Sequence, residues 1–121
     1  MSWKGREVIG EMQPELLIAD PRFPVDVCSV IILAGQGSLK RRTALAINTE
    51  GKCVILGTEN TKASYILAED VEAAEEDVMG VAYNSGKFAR NALIVKEGYT
   101  MKKEDEAALR DAGIYLENIM L

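Results

Sequence analysis

The sequence predicts a mainly β body with one short C-terminal helix and an extended N-terminal arm, on three observations. Apolar runs rich in β-branched residues recur between Gly- and Asn-containing turns, the pattern strands require. Pro14, Pro21 and Pro24 punctuate the first 26 residues, where no hydrophobic period is sustained. One window, Glu104 to Ala112, joins good helix formers to a glycine stop. At 121 residues and 48% hydrophobic content the chain has material for one core, since domains commonly hold about 100–200 residues.

Residues 1–26 read as the arm. Proline lacks an N–H and clashes with the preceding turn, which bars it from helix interiors and central strands. The Asp20-Pro21 and Phe23-Pro24 steps drive Asp20 and Phe23 toward extended backbone, leaving Glu15 to Ala19 room for one turn of helix or a short strand. Trp3, Val8, Ile9, Leu16, Leu17, Ile18 and Phe23 therefore carry buriable surface without a regular element of their own. That is the composition of a segment that orders on a partner or else folds back over its own body or a neighbouring protomer.

Residues 27–121 read as the body. Val27 to Ala34 is a strand ending at Gly35 and Gly37, and the Gly35 to Lys40 segment is a turn leading to another strand. It is not a phosphate loop, because no Gly-Lys-Ser/Thr opens a helix there. Thr43 to Ile47 and Lys52 to Leu56 form a hairpin about Asn48-Thr49-Glu50-Gly51. Ala63 to Ala68 is a strand running into the acidic stretch Glu69 to Asp77, expected to be a solvated loop, and the chain returns to strand at Val78 to Tyr83. Asn84-Ser85-Gly86-Lys87 reads as a second tight turn, after which the run from Phe88 through Leu93, Ile94 and Val95 fits either strand or helix. Thr100 is placed to cap the final helix and Gly113 to stop it. Ile114, Tyr115 and Leu116, with Ile119, Met120 and Leu121, supply more apolar side chain than a small exposed tail keeps.

The formal charge of −5 and pI near 4.8 offer no chain-wide attraction for phosphate backbones or anionic lipid. Lys40-Arg41-Arg42 is the one basic cluster, and three adjacent charges in a turn face water or an acidic neighbour. No apolar run approaches the ~18 residues of a membrane span, and the opening Met-Ser-Trp-Lys-Gly-Arg-Glu precedes no apolar stretch, so a cytosolic origin is expected. Histidine is absent, which removes the commonest acid–base group and the ordinary triads. With two cysteines and no histidine, the usual zinc ligand sets cannot be completed in one chain. Cys28 and Cys53 lie in apolar runs and read as small packing residues. Glu69, Asp70, Glu72, Glu75, Glu76 and Asp77 do not follow the spacing of an EF-hand loop.

The half from Ala63 onward carries an ordered set of segments: Ala63-Ser64-Tyr65-Ile66-Leu67-Ala68-Glu69-Asp70-Val71, then Val81-Ala82-Tyr83, Gly86-Lys87-Phe88 and Asn91-Ala92-Leu93, and finally Ala108-Leu109-Arg110 leading to Gly113-Ile114-Tyr115-Leu116. In this order and spacing they resemble the head decoration, or capsid cement, proteins of lambda-like tailed bacteriophages. The earlier part fits more loosely, through the strand to Gly35, Leu39 to Leu45 and Gly51-Lys52-Cys53-Val54, so the resemblance covers about residues 28–117. Family members often carry Gly before the Thr of one turn, where this chain has Arg42 before Thr43.

The resemblance implies a β-clip-like body that trimerises, sits at three-fold or quasi-three-fold positions of an expanded icosahedral shell, and reinforces it against packaged DNA. It further implies no catalysis, no cofactor, no direct contact with nucleic acid or membrane, and a location on the outer capsid surface of the virion after synthesis in the host cytoplasm. Its partners would be the major capsid protein, through the arm residues Trp3, Val8, Ile9, Leu16, Leu17, Ile18 and Phe23, and other copies of itself, through Ile114, Tyr115, Leu116, Ile119, Met120 and Leu121. Two other classes fit such a body: a trimeric tail or baseplate adaptor, and a β-clip or small-barrel ligand-binding domain with a site between subunits.

Overall fold

The computed structural model describes residues 17–19 and 25–118. Strands β1 (Asp26–Ile32), β2 (Gly37–Leu39), β3 (Ala44–Ile47), β4 (Cys53–Ile55), β5 (Lys62–Leu67), β6 (Val71–Ala73) and β7 (Val78–Ala89) lead through a 3-10 turn at Arg90–Ala92 to helix α1 (Lys103–Asp111) and strand β8 (Ile114–Glu117). The order β1-β4-β3-β5-β7 closes on itself where β7 pairs antiparallel with β1, giving a small mixed barrel whose one parallel junction is β1–β4. Closure removes the exposed edges that make small sheets prone to mispairing. A mainly β body with one short helix near its C-terminal end is what the sequence predicts.

Strand alternation builds two apolar cores from one barrel wall. Val30, Ile32, Leu45, Cys53, Leu67 and Ala82 fill the barrel, with Leu39 and Ala73 closing over them. The other side of β3 and β5, carrying Ala44, Ala46, Ala63 and Ile66, forms a second core with Leu17, Phe88, Leu109 and Ile114. Small side chains on β3 let the outer layer approach closely, and α1 packs on β5 with Leu109 fully buried. Among the described residues no helix is long and apolar enough to cross a membrane.

The hairpin forms as expected. Asn48 Oδ1 accepts from the backbone N–H groups of Glu50 and Lys52 at 2.9 and 3.0 Å, while Gly51 takes φ 82°. Helix α1 ends as expected too, with Gly113 at φ 103°. Its start differs: Lys102, not Thr100, is the N-cap, because Asp105 reaches back to accept from the Lys102 N–H at 2.9 Å. Asp105 also accepts from the Tyr99 hydroxyl, and this bond helps push the Tyr99 pKa up to about 12.

Three other expectations are corrected. Asn84 to Lys87 is not a turn: β7 runs straight through it, held by β1 up to Ser85 and by β8 from Gly86. The acidic stretch is not wholly loop, since Val71–Ala73 pairs antiparallel with Gly37–Leu39 and Ala73 is fully buried. The same ribbon turns part of the Gly35 to Lys40 segment into strand. The run after Phe88 completes β7, makes the 3-10 turn and leaves Ile94 bridged in parallel to Thr43.

Arg42 adopts φ 88°, a left-handed backbone that costs a residue with a Cβ about 1–2 kcal/mol. Its guanidinium donates to the Ala92 carbonyl at 3.2 Å. Arg42→Gly and Arg42→Ala both lose that bond, but only glycine relieves the backbone. The Gly variant is therefore expected to be more stable than the Ala variant by about 1 kcal/mol. Thermal melts of the pair test this, and equal midpoints would show that the turn carries no strain.

Candidate interaction surfaces

The long strand β7 organises both ends of the described chain. Its first part belongs to the barrel, and its last part, Gly86–Ala89, leaves the barrel to pair in parallel with β8. On the opposite side lies the short segment 17–19: Ile18 bridges antiparallel to Phe88, Ala19 N–H donates to the Lys87 carbonyl at 2.8 Å, and Ala89 N–H donates to the Leu17 carbonyl at 2.6 Å. Of the arm residues, Leu17 is only 2% exposed and packs in the outer core, and Ile18 lies half-buried against it. This short segment is therefore sealed to the body. Trp3, Val8, Ile9, Leu16 and Phe23 lie outside the described residues.

At the C-terminal end Ile114 is fully buried inside its own protomer, so its side chain serves the core rather than an outer surface. Leu116 packs partly buried on the same core, and Tyr115 points outward at 39% exposure. Ile119, Met120 and Leu121 lie outside the described residues. Arg90, in the 3-10 turn, forms a bidentate pair with Glu106 of α1 through Nε–Oε2 at 2.8 Å and Nη2–Oε1 at 2.9 Å. The hydrogen bond to Glu106 raises the Arg90 pKa further.

A third surface was not legible in the sequence. Val27 and Ile31 on β1 and Met79 on β7 stand exposed on the outer wall of the barrel at 55%, 40% and 68%, with Ile31 directly paired to Met79. Ser29 is the one polar residue on the outward face of this run, while Val27 and Ile31 there are as apolar as the inward Val30 and Ile32, so alternation did not single them out as exposed.

The charged residues mostly serve the fold. Asp77 accepts from the Ala34 N–H at 2.8 Å and from Lys52 Nζ at 2.8 Å, tying the turn after β1 to the hairpin. The Lys52 bond, then the Ala34 bond, holds the Asp77 carboxyl below its ordinary value, and the Lys52 ammonium is raised chiefly by the same pair. The contribution of Asp77 is thus complete above the ordinary carboxylate range and is lost as pH falls through its lowered value. That of Lys52 is complete below the ordinary lysine range and is lost as pH rises through its raised value. Asp70 accepts from the Arg41 N–H at 2.7 Å, and Glu72 from the Ser38 hydroxyl. Among the described residues no group of three or more His, Cys, Asp or Glu side chains is arranged to hold a metal ion. Cys28 and Cys53 are free thiols; burial raises both, Cys53 to about 11, which keeps them protonated and poorly nucleophilic.

Compared with known families, residues 8–114 match the family described as bacteriophage lambda head decoration protein D. No curated protein matches the chain.

Proposed function

The chain belongs to the bacteriophage lambda head decoration protein family, a structural, non-enzymatic family of the virion capsid surface, and on that footing we propose that it acts as a homotrimer. The trimer binds the expanded shell at three-fold or quasi-three-fold positions and stabilises it against the pressure of packaged DNA. The N-terminal arm makes the capsid contact, through Trp3, Val8, Ile9, Leu16 and Phe23, while Ile18 with Leu17 secures the arm to the body. Tyr115, with Ile119, Met120 and Leu121, contributes to the trimer contact, and Ile114 and Leu116 support it from within.

The observation that carries this reading is the placement of the 17–19 segment and β8. The 17–19 segment lies along Lys87, Phe88 and Ala89 of β7, three of the four residues that pair with β8. An arm anchored beside the trimer-forming segment lets each protomer offer one arm from a common centre. Three such arms reinforce one another through effective concentration, so modest affinity per arm yields firm attachment. An extended, proline-punctuated arm suits addition to an exposed sheet edge on a capsid subunit.

Light scattering of the purified protein tests the trimer, and cosedimentation with cognate capsids before and after expansion tests attachment. A monomer at tens of micromolar, or equal binding to both capsid forms, would count against the reading. The cysteines are expected to take no part: Cys28→Ala/Cys53→Ala should lower stability by about 1–2 kcal/mol and leave cosedimentation unchanged. A wild-type attachment that oxidation and reduction switch, and that the double variant no longer switches, would contradict their packing role.

A further inference from the structure

Among the described residues the large hydrophobic side chains left exposed fall in two places. Val27, Ile31 and Met79 share the outer wall formed by β1 and β7, while Tyr115 projects from β8. From the Val27/Tyr83 pair to the Ile31/Met79 pair neither strand carries a charged residue. In a chain with 27% charged residues, an open wall without one has the composition of an interface core, where charge is depleted. Ile31 and Met79 also border a concavity of about 240 Å³ that Tyr65 and Cys53 help to line. That is below the roughly 300–1,000 Å³ of small-molecule pockets and suits the insertion of a single side chain.

Symmetry limits what can cover the wall. A patch that pairs with its own copy closes a two-fold dimer, whereas a three-fold ring needs two different patches on each protomer. Met79 lies near the start of β7, and Lys87, which pairs with Tyr115, lies toward its other end. The stretch from 79 to 87 spans about 26 Å of extended strand, so the two apolar places are held well apart on one protomer. We propose that the trimer is a head-to-tail ring in which Tyr115 of each protomer packs on the Val27, Ile31 and Met79 wall of the next and enters the concavity beside Met79. This rests on the reading that the chain trimerises with Tyr115 in the contact, and it supplies the surface that receives Tyr115. A tyrosine suits the role, because it brings a large apolar ring to an interface at little conformational cost and anchors such contacts more often than most residues do.

The test uses the full-length protein with Met79→Glu and Tyr115→Glu made separately, each placing a carboxylate in the contact. Far-UV circular dichroism and melting of the monomers establish that both fold; should a charge disturb the fold, Met79→Ser and Tyr115→Ser take their place. Each single variant is expected to weaken the trimer more than tenfold in sedimentation. The decisive measurement mixes the two variants in equal amounts at hundreds of micromolar. The intact Tyr115 of one then meets the intact wall of the other, so a 1:1 heterodimer should form where neither variant associates alone, and no ring can close beyond it. A trimeric wild type with either variant still trimeric overturns the ring alone, as does a mixture that gives no heterodimer. A wild type that stays monomeric under the same conditions overturns the trimer reading and the ring with it.

Discussion

A chain lacking residues 1–16 is expected to fold and trimerise as the full chain does but to fail to cosediment with expanded capsids, whereas one lacking residues 1–19 is expected also to lose about 3 kcal/mol or more of stability. The boundary comes from the structure. Composition alone would place the arm's end near residue 26, yet Leu17 is 2% exposed in the same core as Phe88, Leu109 and Ile114. Removing it opens a leucine-sized cavity, which in well-packed cores costs about 3–5 kcal/mol. The two backbone hydrogen bonds from Ala19 and Ala89 are lost with it. Melting, scattering and cosedimentation of the two truncations separate the effects. Normal capsid binding by the shorter truncation would show that the arm is not the attachment element. Equal melting of the two would show that Leu17 contributes nothing to the core.

Gly86→Ala is expected to cost about 2–4 kcal/mol. Gly86 takes φ 142°, a backbone conformation that a residue with a Cβ adopts only under strain of about 1–3 kcal/mol. A Cβ there would also stand 2.9 Å from two Phe88 ring carbons and 3.2 Å from Val25 Cγ2. Phe88 is fully buried, with its ring against Tyr83 at a centroid distance of 5.1 Å, so it has little room to yield. Adding Phe88→Leu to Gly86→Ala should recover part of the loss by making room at the ring. Chemical denaturation of the two single variants and the double measures that coupling. Additive losses would show that the ring and the new methyl do not meet.

These two sites mark where reading the chain succeeded and where it stopped. The strands at Ala44–Ile47, Cys53–Ile55 and Lys62–Leu67, the Asn48–Gly51 turn and the Gly113 stop were legible because each depends on local chemistry: β-branched runs, an Asn side chain accepting from its own turn, a glycine accepting positive φ. The family was legible through its ordered set of short segments from Ala63 to Leu116, a matter of resemblance rather than of local chemistry. The Asn-Ser-Gly-Lys run at 84–87 carries equally good local turn chemistry, and there the inference failed. Pairing with β1 up to Ser85 and with β8 from Gly86 holds the strand straight. The glycine is needed there for its backbone conformation and for space against Phe88, not for a reversal.

Placement in the barrel decided the rest. Val27, Ile31 and Met79 became an exposed face, and Leu17 and Ile114 became core, because a strand's register determines which alternate side chains point inward. In a run such as Val27 to Ile32, broken only by Ser29, the outward Val27 and Ile31 are not distinguished from the inward Val30 and Ile32 until neighbouring strands close around one face. By itself the sequence determined a mainly β chain with one short C-terminal helix, because composition and short-range chemistry suffice for that, while its ordered segments pointed to the decoration family through resemblance alone. Only the tertiary structure decided that Leu17 and Ile114 belong to the core and that Arg90 is held by Glu106 and Asn118. Each depends on contacts between residues far apart in the chain that no local pattern encodes.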